Sequence, residues 1–485
     1  MTQRSRTIWT FVVTSVALFM AQLDNLVVTT ALPVIRKDLH ASLSSLEWTV
    51  NAYTLTFAVL LLTGATLGER YGRRRMLVVG LVVFTAGSAA AALAPSVEWL
   101  VAFRAVQGAG AAIVTPLTLT LLSAAVPVER RGMALGIWGA VAGLAIATGP
   151  VVGGAVVQGW SWQTIFWLNV PLGLLLIPIA RLRVVESYGS STRLDLPGVA
   201  LASTGLFGVV FGLVRANSLG WTSPYILASL ALGAAFLAQF VVWELRSAPE
   251  PMLPMRLFRS RGFSATNAAS VLMFFGMFGA IFLLAQFLQT VQHYSPLSAG
   301  LRTLPWTGMP IVVSPLAGIL ADRIGGRPVV FTGLVLQATG LAWLAAVSSP
   351  TVPYSHLVPA FIVSGIGMAM FFAPVATMVL GTVDRSEEGI ASGATNALRE
   401  LGGVFGVAIL ASVFSAHGGY ASGQAFVDGL RPAVAVGAAG VALAALAIAL
   451  VPRRRPEAAV VPYLDEPYGD ERYVGEPGRV LETVA

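Results

Sequence analysis

The chain contains fourteen long apolar stretches separated by short polar segments. A helix that crosses the hydrocarbon core of a bilayer needs about 20 apolar residues, and each stretch is long enough to supply them. Only 11% of the residues are charged and 56% are hydrophobic, whereas an ordinary soluble domain carries about 25% charged residues. The pattern predicts an all-α polytopic membrane protein. It excludes a disordered chain, a nucleic-acid-binding domain and an ordinary cytosolic enzyme.

The first apolar stretch, which follows Arg4 and Arg6, could be mistaken for a signal peptide. It runs to Leu32, which is too long for the apolar core of a signal peptide, and it lacks a clear cleavage site of small residues. We therefore interpret it as the first span. The predicted spans lie near residues 8–32, 47–67, 76–94, 97–125, 132–157, 160–180, 197–215, 222–243, 263–289, 297–320, 328–347, 354–380, 387–416 and 431–451.

Basic residues fall almost entirely on one side of this topology. With fourteen spans both termini share a side, and 21 Lys or Arg residues fall there against four on the other side. Because loops rich in Lys and Arg stay in the cytoplasm, both termini are predicted to be cytoplasmic. A single lysine, Lys37, beside 50 glycines and abundant arginine is typical of a GC-rich bacterial genome. The expected location is the bacterial inner (plasma) membrane, with multiple passes.

The loops after spans 2 and 10 repeat one pattern. In each, an acid is followed by an arginine and, three residues after the acid, by a glycine, and the two acids are 253 residues apart. The repeated residues are Glu69, Arg70 and Gly72, followed by Arg73, and then Asp322, Arg323 and Gly325. Six spans with loops take about 180–190 residues, since each span needs about 20, so the offset leaves room for two more spans.

The simplest organisation is therefore two six-helix bundles with a helix pair inserted between them. The predicted divisions are an N-terminal bundle in residues 1–180, the inserted pair and its linkers in 181–262, a C-terminal bundle in 263–452 and a disordered cytoplasmic tail in 453–485. The linker at 247–254 holds three prolines, which rules out a continuous helix there. A short interfacial segment is predicted at Met255–Phe258.

Residues that support enzymatic chemistry are missing from the sequence. A P-loop needs Gly-Lys-Ser/Thr, but the only lysine follows Arg36. The four histidines do not have the spacing of metal ligands, and there is no cysteine. The sequence therefore predicts no catalytic residues, no metal site, no cofactor and no enzymatic activity.

Charges inside a membrane are costly, and each is a candidate functional residue. Asp24 in span 1 and Arg104 in span 4 lie at matching depth, about 12 Å and 10 Å from the same side at 1.5 Å per residue. Opposite charges in a low-dielectric interior should pair. Two interpretations remain open, a protonatable pair that couples transport and a static structural pair. Under the first, neutralising Asp24 should abolish coupled export and leave expression intact.

Polar side chains in spans 1 and 13 extend this candidate site. Gln22, Asn25 and Thr29 follow helical spacing and form one polar stripe, with Asp24 at its edge, that is expected to face a cavity. In span 13, Glu400 lies near the midplane with Asn396 four residues before it on the same face. Arg399 points elsewhere and needs another partner. Glu400 is either a proton or substrate site or a structural residue.

Spans 5 and 12 contain patterns that can be interpreted either as helix packing or as part of the transport machinery. Span 5 contains Gly149-Pro150 and Gly153-Gly154, which suit close helix packing or a hinge between conformations. Span 12 contains Met368, Met370, Phe371 and Phe372, which form either core packing or an adaptable apolar wall of a substrate cavity.

Six short motifs stand in order on the predicted spans. They are Leu23-Asp24 with Ala31-Leu32-Pro33, Leu67-Gly68-Glu69-Arg70-Tyr71-Gly72-Arg73-Arg74, Leu100-x-x-x-Arg104-x-x-Gln107-Gly108-x-Gly110, Gly149-Pro150-x-x-Gly153-Gly154, residues 318–327, and Asn396-Ala397-Leu398-Arg399-Glu400-Leu401-Gly402. Together they resemble the major facilitator superfamily, specifically its fourteen-spanner drug:proton antiporter branch, over roughly residues 8–452. Glu69 stands where that family usually has Asp, and Ala145 where the span-5 motif usually begins with Gly.

The resemblance implies export of small lipophilic drugs or antibiotics in exchange for protons, by alternating access about a central cavity. It implies proton transfer at Arg104, conformational roles for the two loop motifs, the lipid bilayer as surroundings and no nucleic-acid partner; a monomer is expected. Span 10 lacks an acid that some relatives with dicationic substrates carry. The alternatives are a dedicated exporter of one endogenous metabolite, a permease subunit driven by a separate ATPase, a membrane-embedded enzyme, and a membrane scaffold without transport.

Overall fold

The computed structural model describes residues 3–451 except 127, 189–194, 247, 249–250, 252 and 384–387. Within these residues the chain is helical throughout. The helices are α1 (Gln3–Asp38), α2 (Leu43–Tyr71), α3 (Arg73–Ala92), α4 (Val97–Ala125), α5 (Val128–Gly159), α6 (Thr164–Trp167), α7 (Asn169–Arg183), α8 (Leu196–Leu219), α9 (Pro224–Arg246), α10 (Arg261–Gln286), α11 (Pro296–Thr307), α12 (Met309–Ile324), α13 (Gly326–Val347), α14 (Tyr354–Leu380), α15 (Glu388–His417) and α16 (Gly423–Ala449).

Thirteen candidate membrane spans are found among the described residues. The 32-residue α5 lies between the fourth and fifth of them, and several of its side chains fall outside the described set. The prediction of an all-α polytopic membrane protein is confirmed. The interfacial segment predicted at Met255–Phe258 is a short 3₁₀ helix at Met255–Arg259. The predicted tail, 453–485, lies outside the described residues.

Two predicted spans are each interrupted at a single residue that keeps a helical backbone conformation. The sixth begins at Thr164, later than predicted, and divides into α6 and α7 at Leu168. Pro171 lies in the first turn of α7, where proline is tolerated, but its ring would clash with the carbonyl of Trp167 if the helix continued. The tenth span divides into α11 and α12 at Gly308, two residues before Pro310, for the same reason.

The two repeated loops adopt the same backbone conformation. Gly72 has φ of +103° and Gly325 has φ of +90°, and each is the single residue between two helices. An L side chain rarely adopts such a backbone, so glycine suits both turns. We call the face of the bundle where α1 begins and α16 ends the terminal face, and the opposite one the far face.

We call α1–α7 the first set and α10–α16 the second set, after the two predicted bundles. They meet along two boundaries, α2 against α15 and α5 against α11. In the first, Leu55 and Val59 of α2 share one apolar cluster with Val404 and Ala408 of α15. In the second, the backbones nearly touch. A Cβ placed on Gly154 would lie 2.3 Å from the carbonyl oxygen of Pro296, a distance that only glycine permits.

The helices between the two sets form a tight hairpin. Gly205 and Gly208 of α8 meet Gly233 of α9, and Ser229 Oγ donates to the Gly208 carbonyl at 2.7 Å. On α8, four apolar residues belong to the cluster at the α2–α15 boundary: Ala202, Leu206, Val210 and Val214. The hairpin therefore lies on one of the two boundaries between the sets.

Candidate functional site

The charge pair predicted in spans 1 and 4 is present. Arg104 Nη1 donates to Asp24 Oδ2 in an ion pair. Arg104 is 0% exposed and Asp24 4% exposed. Removing one partner of such a pair would leave a buried, uncompensated charge, which costs about 3–5 kcal/mol. The pair therefore has a structural role, whatever part it takes in transport.

Three neutral side chains complete this buried network. Gln107 Nε2 donates to Asp24 Oδ1 at 2.8 Å and to Ser88 Oγ at 2.6 Å. Asn169 Nδ2 donates to the same Asp24 oxygen at 2.7 Å and to Ser88 Oγ at 3.0 Å. Asn169 is the first residue of α7 and lies directly after the interruption of the sixth span. Asp24 thus accepts hydrogen bonds from α4 and α7 at once.

Tyr53 of α2 packs against this network and lies within electrostatic reach of Asp24, Arg104 and Glu400. The guanidinium carbon of Arg104 lies 4.3 Å from the centroid of the Tyr53 ring, and the Tyr53 hydroxyl donates to the Ala21 carbonyl at 3.0 Å. Glu400 is half-buried as a residue, but its Oε2 is shielded from solvent and has no hydrogen-bond partner among the described residues. The two acids therefore differ in their hydrogen bonding, since Asp24 is fully engaged and Glu400 keeps one buried oxygen without a partner.

Arg399 has partners of its own. Its guanidinium carbon lies 4.4 Å from the Phe274 ring centroid and 5.3 Å from that of Phe372. Its Nη1 donates to Asn396 Oδ1 at 3.3 Å. Helical spacing predicted Asn396 on the same face as Glu400. In the structure Asn396 instead pairs with Arg399, which lies three residues after it on the same helix.

A small cavity lies between the two sets, away from the charge pair. Of the predicted polar stripe, Thr29 lines this cavity, and its hydroxyl donates to the Leu26 carbonyl at 2.7 Å. Asn25 is buried, with no partner for Oδ1 among the described residues, and Gln22 is half-buried. The cavity is lined by Thr29, Thr30, Pro150, Ile281, Leu284, Ala285, Leu288, Gln289, Ala299, Gly300, Thr303, Trp306 and Thr307.

The residues singled out in span 12 are buried in α14. Met368 is 0% exposed and Phe371 1% exposed, and both belong to the main apolar core. This arrangement fits the packing interpretation. Their neighbour Phe372 is partly buried and stacks edge-on against Phe274 at 6.0 Å, so it is the aromatic of this group that reaches Arg399.

The span-5 glycines are packing positions. A Cβ on Gly149 would lie 2.7 Å from Leu26 Cβ, and one on Gly153 would lie 2.8 Å from the Val27 carbonyl oxygen. These two glycines bring α5 onto α1, while Gly154 brings it onto α11. Pro150 also lies at this contact, since its carbonyl would be 2.2 Å from a Cβ on Gly300.

Three polar contacts join the two sets at the far face. The Arg36 guanidinium carbon lies 3.3 Å from the centroid of the Tyr420 ring. Gln289 Nε2 donates to the Thr30 carbonyl at 2.8 Å. Gln158 Oε1 accepts from the Leu297 amide at 3.3 Å. Each contact joins one set to the other.

The motif residues on the terminal face are more exposed. Glu69 is half-buried and Arg70 is exposed, with its guanidinium 5.1 Å from the ring of Tyr71. Arg73 is half-buried. In the second loop, Asp322 and Arg323 are both exposed. Among the described residues, no ion pair joins these acids to an arginine.

Sequence reasoning identified the charged pair but not the side chains around it. Ser88, Asn169 and Tyr53 were not singled out, and Gln107 appeared only as part of a motif. The available signal was a polar side chain within an apolar span, since such a group must find a hydrogen bond inside the protein. Glu47 is a further example, an acid near the start of α2 that is only 3% exposed.

A family comparison agrees with this fold. The model described as Major Facilitator Superfamily matches residues 14–312 and 268–468. The chain belongs to the major facilitator superfamily. It is therefore a membrane transporter rather than an enzyme, and the resemblance seen in the motifs is confirmed.

Its relatives include named resistance and export proteins. The chain is 36% identical over 414 residues to the multidrug resistance protein Stp of Mycobacterium tuberculosis (strain CDC 1551 / Oshkosh), covering 84% of this chain and 76% of that protein. It is 35% identical over 416 residues to the tetracenomycin C resistance and export protein of Streptomyces glaucescens, with the same coverage. It is 34% identical to the methylenomycin A resistance protein of Bacillus subtilis (strain 168), covering 86% and 89%.

Solved structures share the fold at low identity. A bacterial homolog of the human lysosomal transporter Spinster, in an inward-facing and unoccupied conformation, aligns with TM-score 0.65 and 16% identity over 92% of this chain and 97% of that one. A POT family transporter aligns with TM-score 0.69 and 13% identity over 91% and 95%. At these identities the likeness concerns the fold alone.

Proposed function

We propose that this transporter exports lipophilic drugs or antibiotics from the cytoplasm in exchange for protons. The relatives named for multidrug resistance and antibiotic export support the direction and the substrate class. The termini would be cytoplasmic and the bilayer would be the inner membrane, as the arginine distribution predicts. The chain would work as a monomer, with no cofactor.

The observation that carries the proposal is the difference in hydrogen bonding between two acids inside the membrane spans, Asp24 and Glu400. Asp24 is occupied by Arg104, Gln107 and Asn169, so it has little room for a proton in this state. Glu400 is half-buried and keeps one oxygen without a partner among the described residues. Glu400 is therefore the better site for proton exchange, and the Asp24–Arg104 pair would respond to its charge through Tyr53.

Alternating access would use the two boundaries between the sets. With the far face closed, a substrate enters from the cytoplasmic side. Protonation of Glu400 after the far face opens removes a negative charge near Tyr53 and Arg104, and the substrate leaves. One inward charge supplies about 2.3 kcal/mol per 100 mV and one pH unit about 1.4 kcal/mol. Together they sustain a substrate gradient of roughly 500-fold.

Proton flux in sealed proteoliposomes with a pH gradient tests the proposal. A pH-sensitive dye reports flux as lipophilic cations and neutral antibiotics are added in turn. Proton movement triggered by a compound is the expected result, lost in Glu400→Gln and kept in Glu98→Gln, whose parent acid is exposed at the start of α4. Flux that persists in Glu400→Gln would overturn its assignment, and transport of a compound without proton movement would overturn antiport.

A narrower function is the second candidate. Two relatives are named for a single antibiotic each, tetracenomycin C and methylenomycin A, which favours an exporter dedicated to one metabolite. Both functions use the same site and the same coupling. A response to one chemical scaffold within the panel would indicate the dedicated exporter, and responses to unrelated scaffolds the multidrug exporter.

A further inference from the structure

The first turn of α3, directly after Gly72, carries an unusual positive charge for the start of a helix. Arg73, Arg74 and Arg75 fill the first turn of α3, which contains no acid. A helix N-terminus is the positive end of the helix dipole, so cations there are unfavourable. The turn therefore needs negative partners from elsewhere in the fold.

Those partners come from the end of α7. The Glu186 carboxylate accepts the Arg74 backbone amide at 2.8 Å and lies 3.5 Å from Arg74 Nε and 3.7 Å from Arg75 Nε. The Ser187 carbonyl accepts the Arg73 amide at 2.9 Å. Glu186 thus does the work of an N-terminal cap from a distant segment.

The Arg74 guanidinium also reaches the helix end itself. Its Nη1 lies 3.5 Å from the carbonyl oxygens of Arg181 and Val184, in the last turn of α7 and just after it. The last carbonyls of a helix have no partner within it and form the negative end of the dipole. A guanidinium is well suited to that position.

The second set contains the same contact at the equivalent residue. Arg327 follows Arg74 by 253 residues, the offset that separates Glu69 from Asp322, and each arginine lies two residues after the positive-φ glycine. Arg327 Nη2 donates to the carbonyl of Ala449, the last residue of α16. In both sets the arginine joins the turn after the second span to the end of the sixth span of that set.

We propose that Arg74 and Arg327 are paired positioning residues, each of which holds the final helix of its own set to the turn that begins the third span. The contacts lie within a set rather than between sets, so they would keep each set rigid while the boundaries between sets open and close. Glu186 strengthens the first contact. Among the described residues, Arg327 has no ion-pair partner and relies on the helix end.

Amide hydrogen exchange on the full-length protein in lipid nanodiscs tests this proposal and needs no transported compound, so its result is independent of the proposed function. Arg327→Gln should speed exchange over residues 445–451 by about two- to fivefold, the effect of one charge at a helix end, and leave residues 180–184 unchanged. Arg74→Gln should do the reverse. Arg327→Lys should restore part of the protection, since a lysine still brings a cation to the carbonyl.

Arg246→Gln is the matched control, because Arg246 is exposed in the last turn of α9. It should leave exchange at both helix ends unchanged. Unchanged exchange in Arg74→Gln and Arg327→Gln would overturn the proposal. Faster exchange throughout the chain would also overturn it, because it would indicate loss of the fold rather than release of one helix end.

Discussion

The Arg36 guanidinium lies over the Tyr420 ring across the boundary between the two sets, with 3.3 Å between the guanidinium carbon and the ring centroid. Arg36 lies in the last turn of α1 and Tyr420 in the loop before α16. The Tyr420 hydroxyl also donates to Gln286 Oε1 of α10. One side chain thus holds the N-terminal helix to the C-terminal set at the far face.

Removing the Tyr420 ring should open the far face. A cation–π contact contributes about 0.5–2 kcal/mol, so Tyr420→Ala should raise the open population by roughly two- to thirtyfold. The chain has no cysteine, so a single Thr30→Cys can report opening by its labelling rate with a membrane-impermeant maleimide. Tyr420→Phe keeps the ring and should change the rate less. Equal rates in all three proteins would show that this contact does not close the far face.

The same contact should not depend on pH in the physiological range. Burial raises the pKa of the Tyr420 hydroxyl well above its ordinary value of 10, and the nearby Arg36 opposes this only in part. A raised pKa means that the protonated, hydrogen-bonding form persists to higher pH than in a free tyrosine. The thiolate is the form that reacts with maleimide, so the labelling rate of any cysteine rises with pH. The ratio of the Thr30→Cys labelling rate in the Tyr420 protein to that in the Tyr420→Phe protein cancels this effect and should stay constant as the pH rises toward 10. A steep increase of that ratio below pH 10 would contradict this assignment.

Neutralising Asp24 alone should destabilise the protein. Asp24→Asn leaves the Arg104 guanidinium buried without its counter-charge, at a cost of about 3–5 kcal/mol. From the sequence alone, this variant is predicted to be expressed normally. Because Asp24 lies in a buried hydrogen-bond network, its melting temperature in detergent should be lower than that of the parent protein. The double variant Asp24→Asn with Arg104→Gln should recover much of the loss, because it removes both charges. A single variant as stable as the parent would mean that the pair has no structural role.

Close helix packing at Gly154 should tolerate no side chain. A methyl group there would lie 2.3 Å from the Pro296 carbonyl, so Gly154→Ala should cost about 1–3 kcal/mol by overpacking. Gly159→Ala, five residues later in the same helix, is the control, since a Cβ there meets nothing within 4 Å. It should leave the melting temperature unchanged or raise it slightly. Equal melting temperatures for both variants would argue against a tight α5–α11 contact.

The sequence was most informative where the bilayer itself sets the rule. Apolar length predicted the spans, and the cost of buried charge predicted that Asp24 and Arg104 would pair. The breaks at Leu168 and Gly308 were missed, although Pro171 and Pro310 were visible, because a proline in a span produces either a kink or a break depending on its neighbours.

The partners of a charged residue were harder to predict than the residue itself. Arg399 was expected to need a partner away from Glu400, and the partners are Phe274 and Phe372 on two other helices together with Asn396 on its own. Helical spacing relates residues within one helix, but it contains no information on which helices become neighbours. Asn169 reaches Asp24 across 145 positions, and no local pattern indicates such a contact.

The α8–α9 hairpin gives the transporter two unlike flanks in the plane of the membrane. Within the described chain, α8 packs along α2 and α15. On that flank the hairpin therefore covers the boundary between the two sets and separates it from the surrounding lipid. On the other flank α5 and α11 meet without such a cover. A change of lipid composition should therefore affect the separation of the two sets mainly at the α5–α11 boundary. The surrounding membrane would then influence the conformational cycle from one flank of the transporter only.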